Sequence, residues 1–245
     1  PGSNECNVEY FEENARRLAT LATKIVEKYE INLGFLDLGG GLGIPYSDTE
    51  KPLDVAEMCK RVHKVLVDMF SESDLEIPMV VMEPARYLVG DAAILIGQVN
   101  AIKRSHQVIV GTDLSMNVMA RGVLYDANHR FEINRKDTDD KIVAGYCGQV
   151  CENTDFHRKH EKFPSTTENG DLMILRDVGA YGYSMAYDYN GRVTPAEVLV
   201  EGDKFTLIRR RKSFSDTICL VENADFLLAH PKFVDELSSP RAEFE

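Results

Sequence analysis

Apolar residues recur at helical spacing from Phe11 to Tyr29, with Leu18, Leu21, Ile25 and Val26 separated by charged positions and by alanines suited to close packing. That periodicity predicts an amphipathic helix. The next apolar run, Phe35–Leu38, is short, does not alternate, and stops at three glycines. It reads as a buried strand feeding a tight turn. A second helical pattern spans about Asp54 to Phe70, and a second short apolar run, Met79–Met82, ends at Glu83-Pro84. Two helix–strand units with non-alternating strands point to parallel β/α architecture.

Beyond Arg86 the texture changes. Short β-prone runs at 92–102, 107–110, 141–143, 171–175, 196–200 and 205–209 are separated by turn residues, most clearly Asn169-Gly170-Asp171 and Asn190-Gly191. This part reads as an antiparallel β domain. The expected division is 1–90 for the β/α part, 91–211 for the β domain and 212–245 for a C-terminal extension with a terminal helix. The fold class is therefore α/β plus all-β. No internal repeat or low-complexity tract interrupts it.

The 245 residues are 44% hydrophobic and 28% charged, an ordinary globular balance with room for a sizeable core. A net charge of −12 argues against nucleic acid or an anionic membrane as partner, because both require a basic footprint. Five cysteines scattered at 6, 59, 147, 151 and 219 form no disulfide framework and suit a reducing compartment. Without a signal-peptide pattern or a long apolar run, the expected location is the cytoplasm.

Several stretches carry candidate chemistry. The turn LDLGGGLG at 36–43 follows a strand, where glycines let backbone N–H groups approach an anion; it lacks the spacing of a dinucleotide fingerprint and the Lys-Ser/Thr of a P-loop, and a plain tight turn is the alternative. Glu83–Arg86 (EPAR) sets a carboxylate and a guanidinium at a strand end, the favoured site position in a parallel β/α fold, although a surface ion pair would look the same. GQVCENTD at 148–155 places a thiol beside a carboxylate on a Gly-flanked turn, and GAYGYSM at 179–185 presents Tyr181 and Tyr183 in a Gly-rich turn. Cys147, Cys151, His157 and His160 together invite a zinc reading, but the spacing matches no common module and Glu152 and Asp155 intrude, so no metal is expected. The His-Arg-Lys-His run reads as a solvated loop and Cys147 as a small buried hydrophobe. Cys151 could be a nucleophile with His157 as base, but no catalytic-cysteine signature surrounds it, and a general acid is the better role.

Taken in order, PGSN, LDLGGGLGI, EPAR, DLSMNVMARGVLYDA, CGQVCENTD, RDVGAYGYSMAYDYN and PAEVLV resemble the fold-type III pyridoxal-phosphate decarboxylases, nearest to the diaminopimelate decarboxylase family, over the chain up to about Arg211. The resemblance implies a partial alanine-racemase-like β/α barrel followed by a β domain, corresponding to the C-terminal two-thirds of the family chain. It implies PLP-dependent decarboxylation of meso-2,6-diaminopimelate to L-lysine with pyridoxal 5'-phosphate as cofactor. The alternatives are a relative acting on ornithine, lysine or carboxynorspermidine, and a non-catalytic member resembling the antizyme inhibitors.

Carried over by position, Ser3, Gly39, Gly40, Gly41 and Tyr181 resemble the contacts to the cofactor phosphate, with Ala85 in the same loop. Glu83 resembles the acid paired with the pyridine nitrogen, and Arg86 the arginine that meets phosphate and substrate. Arg121 and Tyr125, four apart in what resembles the specificity helix (Ser115–Ala120), resemble the clamp on the substrate's distal carboxylate, a task suited to an arginine fork. Cys151 resembles the acid that returns a proton to the substrate carbon, and Glu152 the reader of the distal ammonium. Tyr181 is also expected near substrate. In the family Cys151 and Glu152 come from the partner subunit, which implies a homodimer with shared active sites. Two departures stand out: Ala85 replaces the usual glycine, and the front half of the barrel is missing, with the lysine that binds the cofactor and the histidine that stacks on it. The chain is thus expected to be a fragment, or a half that needs a partner chain.

Overall fold

The computed structural model describes residues 2–134 and 138–218. In chain order its elements are α1 (Val8–Tyr29), β1 (Phe35–Asp37), α2 (Val55–Glu72), β2 (Met79–Val81), α3 (Ala85–Val89), β3 (Leu95–Arg104), β4 (Val108–Thr112), α4 (Arg121–Tyr125), β5 (Phe131–Ile133), β6 (Lys141–Cys147), β7 (Phe156–Pro164), β8 (Leu172–Leu175), β9 (Glu197–Glu201), β10 (Lys204–Arg209) and α5 (Phe214–Ile218). Two compact units result. The first comprises residues 2–95, 128–132 and 174–181; the second comprises 96–127, 133–173 and 182–218. The expected C-terminal extension lies outside the described residues from position 219 onward.

In the first unit, α1 and α2 pack over a parallel β1–β2 pair in the register Leu36↔Val80. The Asn7 side chain accepts Glu9 N–H at 3.0 Å to start α1, and the Asp54 side chain accepts Glu57 N–H at 2.9 Å to start α2. The fully buried face of α1 is Phe11, Ala15, Ala19 and Ala22; of the expected stripe Leu18 packs against this core only in part, and Leu21 points to solvent. Alanines allow α2 to approach closely, so its Met58, Val62, Leu66 and Phe70 supply the volume of the core. Phe35 and Met79, by contrast, are 59% and 65% exposed. Two strands cannot close a barrel, so these side chains have no opposite wall among the described residues.

The second unit holds β4, β6, β7 and nearly all of β3, which belong to a six-stranded sheet of order β5-β8-β3-β4-β6-β7. β3–β4 and β6–β7 are antiparallel, while β4–β6 is parallel, which makes the sheet mixed. β9 and β10 form a separate antiparallel hairpin across Gly202. Two local expectations are corrected. Ser115–Ala120 is a turn closed by Val118 N–H and Met119 N–H on Ser115 O, and the helix begins only at Arg121. The His-Arg-Lys-His run is not a loop but edge strand β7, which turns His157, Phe163 and Pro164 inward and leaves charged residues on the open side.

Candidate active site

The C-terminal ends of β1 and β2 deliver the glycine turn and the EPAR corner side by side. Glu83 N–H donates to Gly39 O at 2.9 Å, directly extending the ladder. Gly39 and Gly41 take φ values of 75° and 88°, which only glycine adopts without strain. A methyl at Gly40 would lie 2.3 Å from Glu83 O and one at Gly41 2.5 Å from Gly2 O, whereas the Gly39 position faces open space. The N-terminal turn is tied to the same loop: Glu5 N–H donates to Gly41 O, Gly43 N–H to Glu5 O, and Ile44 N–H to the Asn4 side chain. That places Ser3 at the turn.

Arg86, on the first turn of α3, is only 8% exposed. It donates to Tyr46 OH at 2.6 Å and to Ser3 Oγ at 3.3 Å, and its guanidinium lies 5.0 Å from the centre of the Tyr181 ring. Among the described residues no carboxylate lies within 4.0 Å of it. A buried guanidinium held by neutral hydroxyls and aromatic faces is a charge without a counter-charge, and it favours an anion. Ala85 donates its N–H to Glu83 O and begins α3 outside the positive-φ region, so its methyl imposes no backbone strain. Glu83 and Ala85 are exposed. Tyr181 stands at φ 61°, a left-handed position unusual for an aromatic residue.

Arg121, Tyr125, Cys151 and Glu152 belong to the second unit. Arg121 opens α4 and is buried, whereas Tyr125 closes it at 67% exposure, so the two do not share an environment. Cys151 and Glu152 sit on the loop between β6 and β7. The buried Asp155 holds this loop: its carboxylate accepts Met116 N–H at 2.6 Å and Val150 N–H at 3.0 Å. Ser115 Oγ accepts Gln149 N–H at 2.8 Å, and Gly148 leaves no room for a methyl, which would meet Asp155 Oδ2 at 2.3 Å. Cys151 is exposed and its Sγ accepts from the Asn190 amide at 3.5 Å. Asn190 occupies φ 54° in the Asn-Gly turn, which is how its side chain reaches back.

Tyr46, Ser115, Asp155 and Asn190 escaped the sequence reading as site residues. Asp155 has a signal, an acid closing a Gly-flanked turn, but in the sequence it figures only as an intruder among the Cys and His of the metal reading. Tyr46 has none, since its separation of 40 positions from Arg86 is bridged only by the fold. Cys147 is half-buried; burial first, and then the charge of Asp155, push its thiol up, with Lys103 opposing. Alkylation near neutral pH is therefore expected to label the exposed Cys151 and Cys59 well before Cys147, a ranking that peptide mass mapping checks.

The description "Pyridoxal-dependent decarboxylase, pyridoxal binding domain" matches residues 2–90. The diaminopimelate decarboxylase of Methanothermobacter thermautotrophicus is 36% identical over 218 residues, 89% of this chain and 51% of that protein. That of Thermoplasma acidophilum is 39% identical over 90% of this chain and 52% of its own length. The crystal structure of diaminopimelate decarboxylase from M. jannaschii in co-complex with L-lysine superimposes with a TM-score of 0.83 at 30% identity, covering 92% of this chain and 51% of that one. The chain is thus similar to the pyridoxal-dependent decarboxylases, through the pyridoxal-binding domain at residues 2–90 and, in the diaminopimelate decarboxylases, over about nine-tenths of its length. It spans about half the length of the curated relatives it matches, less than the two-thirds expected. The solved diaminopimelate decarboxylase shares its fold, and its cofactor is pyridoxal phosphate.

The residues present fit that cofactor. The decarboxylase match ends at residue 90, so it contains the glycine turn, Ser3, Glu83 and Arg86. The buried Arg86 without a carboxylate partner, next to a turn whose Gly39 faces open space, suits a phosphate dianion.

Proposed function

We propose that this chain forms part of a PLP-dependent carboxy-lyase that converts meso-2,6-diaminopimelate to L-lysine, working as a cytoplasmic homodimer with shared active sites. The single observation that carries the reading is Arg86, a buried guanidinium whose partners are hydroxyls and a tyrosine face, set beside the glycine turn. On this reading residues 1–90 belong to the cofactor-binding barrel, residues 91–211 to the β domain, and the other half of the barrel comes from outside the described chain.

Ser3, Gly39, Gly40, Gly41 and Arg86 hold the phosphate, with Tyr181 over the guanidinium and Ala85 keeping the corner small. Glu83 accepts a hydrogen bond from the pyridine nitrogen. The bound cofactor supplies an electron sink for the charge left on the carbon that loses CO2. Arg121 pairs with the substrate's distal carboxylate, and Tyr125 closes over that end. Glu152 reads the distal ammonium, and Cys151 delivers a proton from Sγ to the carbon, acting as a general acid. Cys151 and Glu152 serve the cofactor held by the partner subunit. An arginine at this position favours a substrate ending in a carboxylate, to which its fork can offer two parallel N–H donors.

The test is turnover by a protein that joins this chain to the half of a diaminopimelate decarboxylase it does not match. Among diaminopimelate, ornithine, lysine and carboxynorspermidine, diaminopimelate is expected to show the highest kcat/KM. A higher value for one of the others would reassign the substrate. Cofactor binding with no turnover of any of them would leave a non-catalytic binding protein.

A further inference from the structure

His157 is buried on β7, and no step above uses it. Its ring stacks on Tyr146 of β6 with centroids 5.4 Å apart and planes 12° from parallel, which fixes the direction in which both nitrogens point. Nε2 lies 3.4 Å from Asp155 Oδ1 but is out of line for a hydrogen bond, and among the described residues it has no hydrogen-bond partner. A ring nitrogen facing a carboxylate carries a proton, because two lone pairs at that distance would repel; Nε2–H is the tautomer the site demands. On the opposite side, a methyl added at Gly122 would come within 3.1 Å of Nδ1, so the ring lies directly against the backbone of α4.

His157 thus stands between two pieces of the second unit. One is Asp155, the carboxylate whose two oxygens hold Met116 N–H and Val150 N–H and so fix the loop bearing Cys151 and Glu152. The other is Gly122, which follows Arg121 in α4. A phenyl ring here would preserve the stack on Tyr146 yet remove the ring nitrogen that faces Asp155. A small shift of the imidazole converts the 3.4 Å approach into a charge-assisted bond, which is stronger than a neutral one.

We propose that His157 is a positioning residue, whose Nε2–H locks the Asp155 carboxylate under the Cys151–Glu152 loop while the other edge of the ring sets α4 and hence Arg121. The inference deepens the decarboxylase reading and rests on it for the roles of Cys151 and Arg121. The contact network itself needs no cofactor.

The test compares His157→Phe, which keeps the stack, with His157→Gln, which keeps a side-chain N–H donor, and with Gly122→Ala, which pushes the ring from the α4 side. Amide hydrogen exchange is followed at Met116 and Val150, with Val110 in β4 as a control. Exchange at Met116 and Val150 is expected to accelerate about tenfold in His157→Phe and in Gly122→Ala, to stay within about twofold of wild type in His157→Gln, and to be unchanged at Val110. In the joined enzyme kcat should fall with His157→Phe and recover with His157→Gln. Unchanged exchange at both amides, an equal rise at Val110, or a glutamine no better than phenylalanine would overturn the assignment. If the amides respond as stated but the wild-type joined enzyme does not decarboxylate diaminopimelate, the positioning role stands and the functional reading falls.

Discussion

Cys151→Ala in the joined enzyme is expected to lower kcat about 100-fold or more and to leave pyridoxal phosphate bound. The thiol is exposed at the tip of a loop pinned by Asp155, and alanine removes the only acidic hydrogen that the loop offers at that position without touching the pins. Cofactor affinity should persist because the glycine turn, Ser3, Glu83 and Arg86 all belong to the first unit. Absorbance of the bound cofactor and steady-state kinetics separate the two effects. A kcat reduced less than about fivefold would mean that the proton comes from another group. The sharing of sites can be read from the same variant. Random mixing of Cys151→Ala subunits with Glu83→Ala subunits makes half of the dimers mixed, each with one intact site of two, so about a quarter of wild-type activity should return. Activity no higher than either parent, with exchange of subunits confirmed, would place Cys151 in cis.

Arg121→Lys is expected to raise KM for diaminopimelate about tenfold or more with little change in cofactor affinity. A guanidinium offers two parallel N–H donors to a carboxylate, and an ammonium on a flexible stem offers a single point charge. Burial at the start of α4 makes the loss larger than it would be at the surface, where water would stand in. Tyr125→Phe should cost less, because Tyr125 is largely solvent-exposed within this chain. An unchanged KM for Arg121→Lys would remove the main support for a substrate that ends in a carboxylate.

The elements that were legible in the sequence are those set by local rules. α1 and α2 have caps at Asn7 and Asp54 and clear periodicity, β1 and β2 are short apolar runs ending in a turn, and β9 and β10 flank Gly202. What escaped depended on partners far along the chain. The buried face of α1 is a row of alanines whose value comes from the approach of α2, so the larger leucines misdirected the reading. β7 looks like a solvated run because its charges occupy the open side of an edge strand, and only His157 betrays the inward side. Arg121 and Tyr125 share a helix yet differ in burial, which five residues of helical spacing cannot reveal. The glycine turn and EPAR were each ambiguous alone; the parallel pairing Asp37↔Val81 resolves them by setting Gly39 against Glu83. Asp155 was visible as a residue but not as the support of its loop, because both N–H donors, on Met116 and Val150, are recruited by the fold.

The most direct measurement of the central claim is the product formed from meso-diaminopimelate by the joined enzyme in D2O. Loss of CO2 replaces a carbon–carbon bond with a carbon–hydrogen bond, and the hydrogen delivered by the Cys151 thiol exchanges with solvent. One CO2 per L-lysine formed and a single deuterium on the carbon that bore the carboxylate are expected. Release of CO2 from ornithine or lysine in place of diaminopimelate, or no lysine from diaminopimelate in a protein with its cofactor bound, would contradict it.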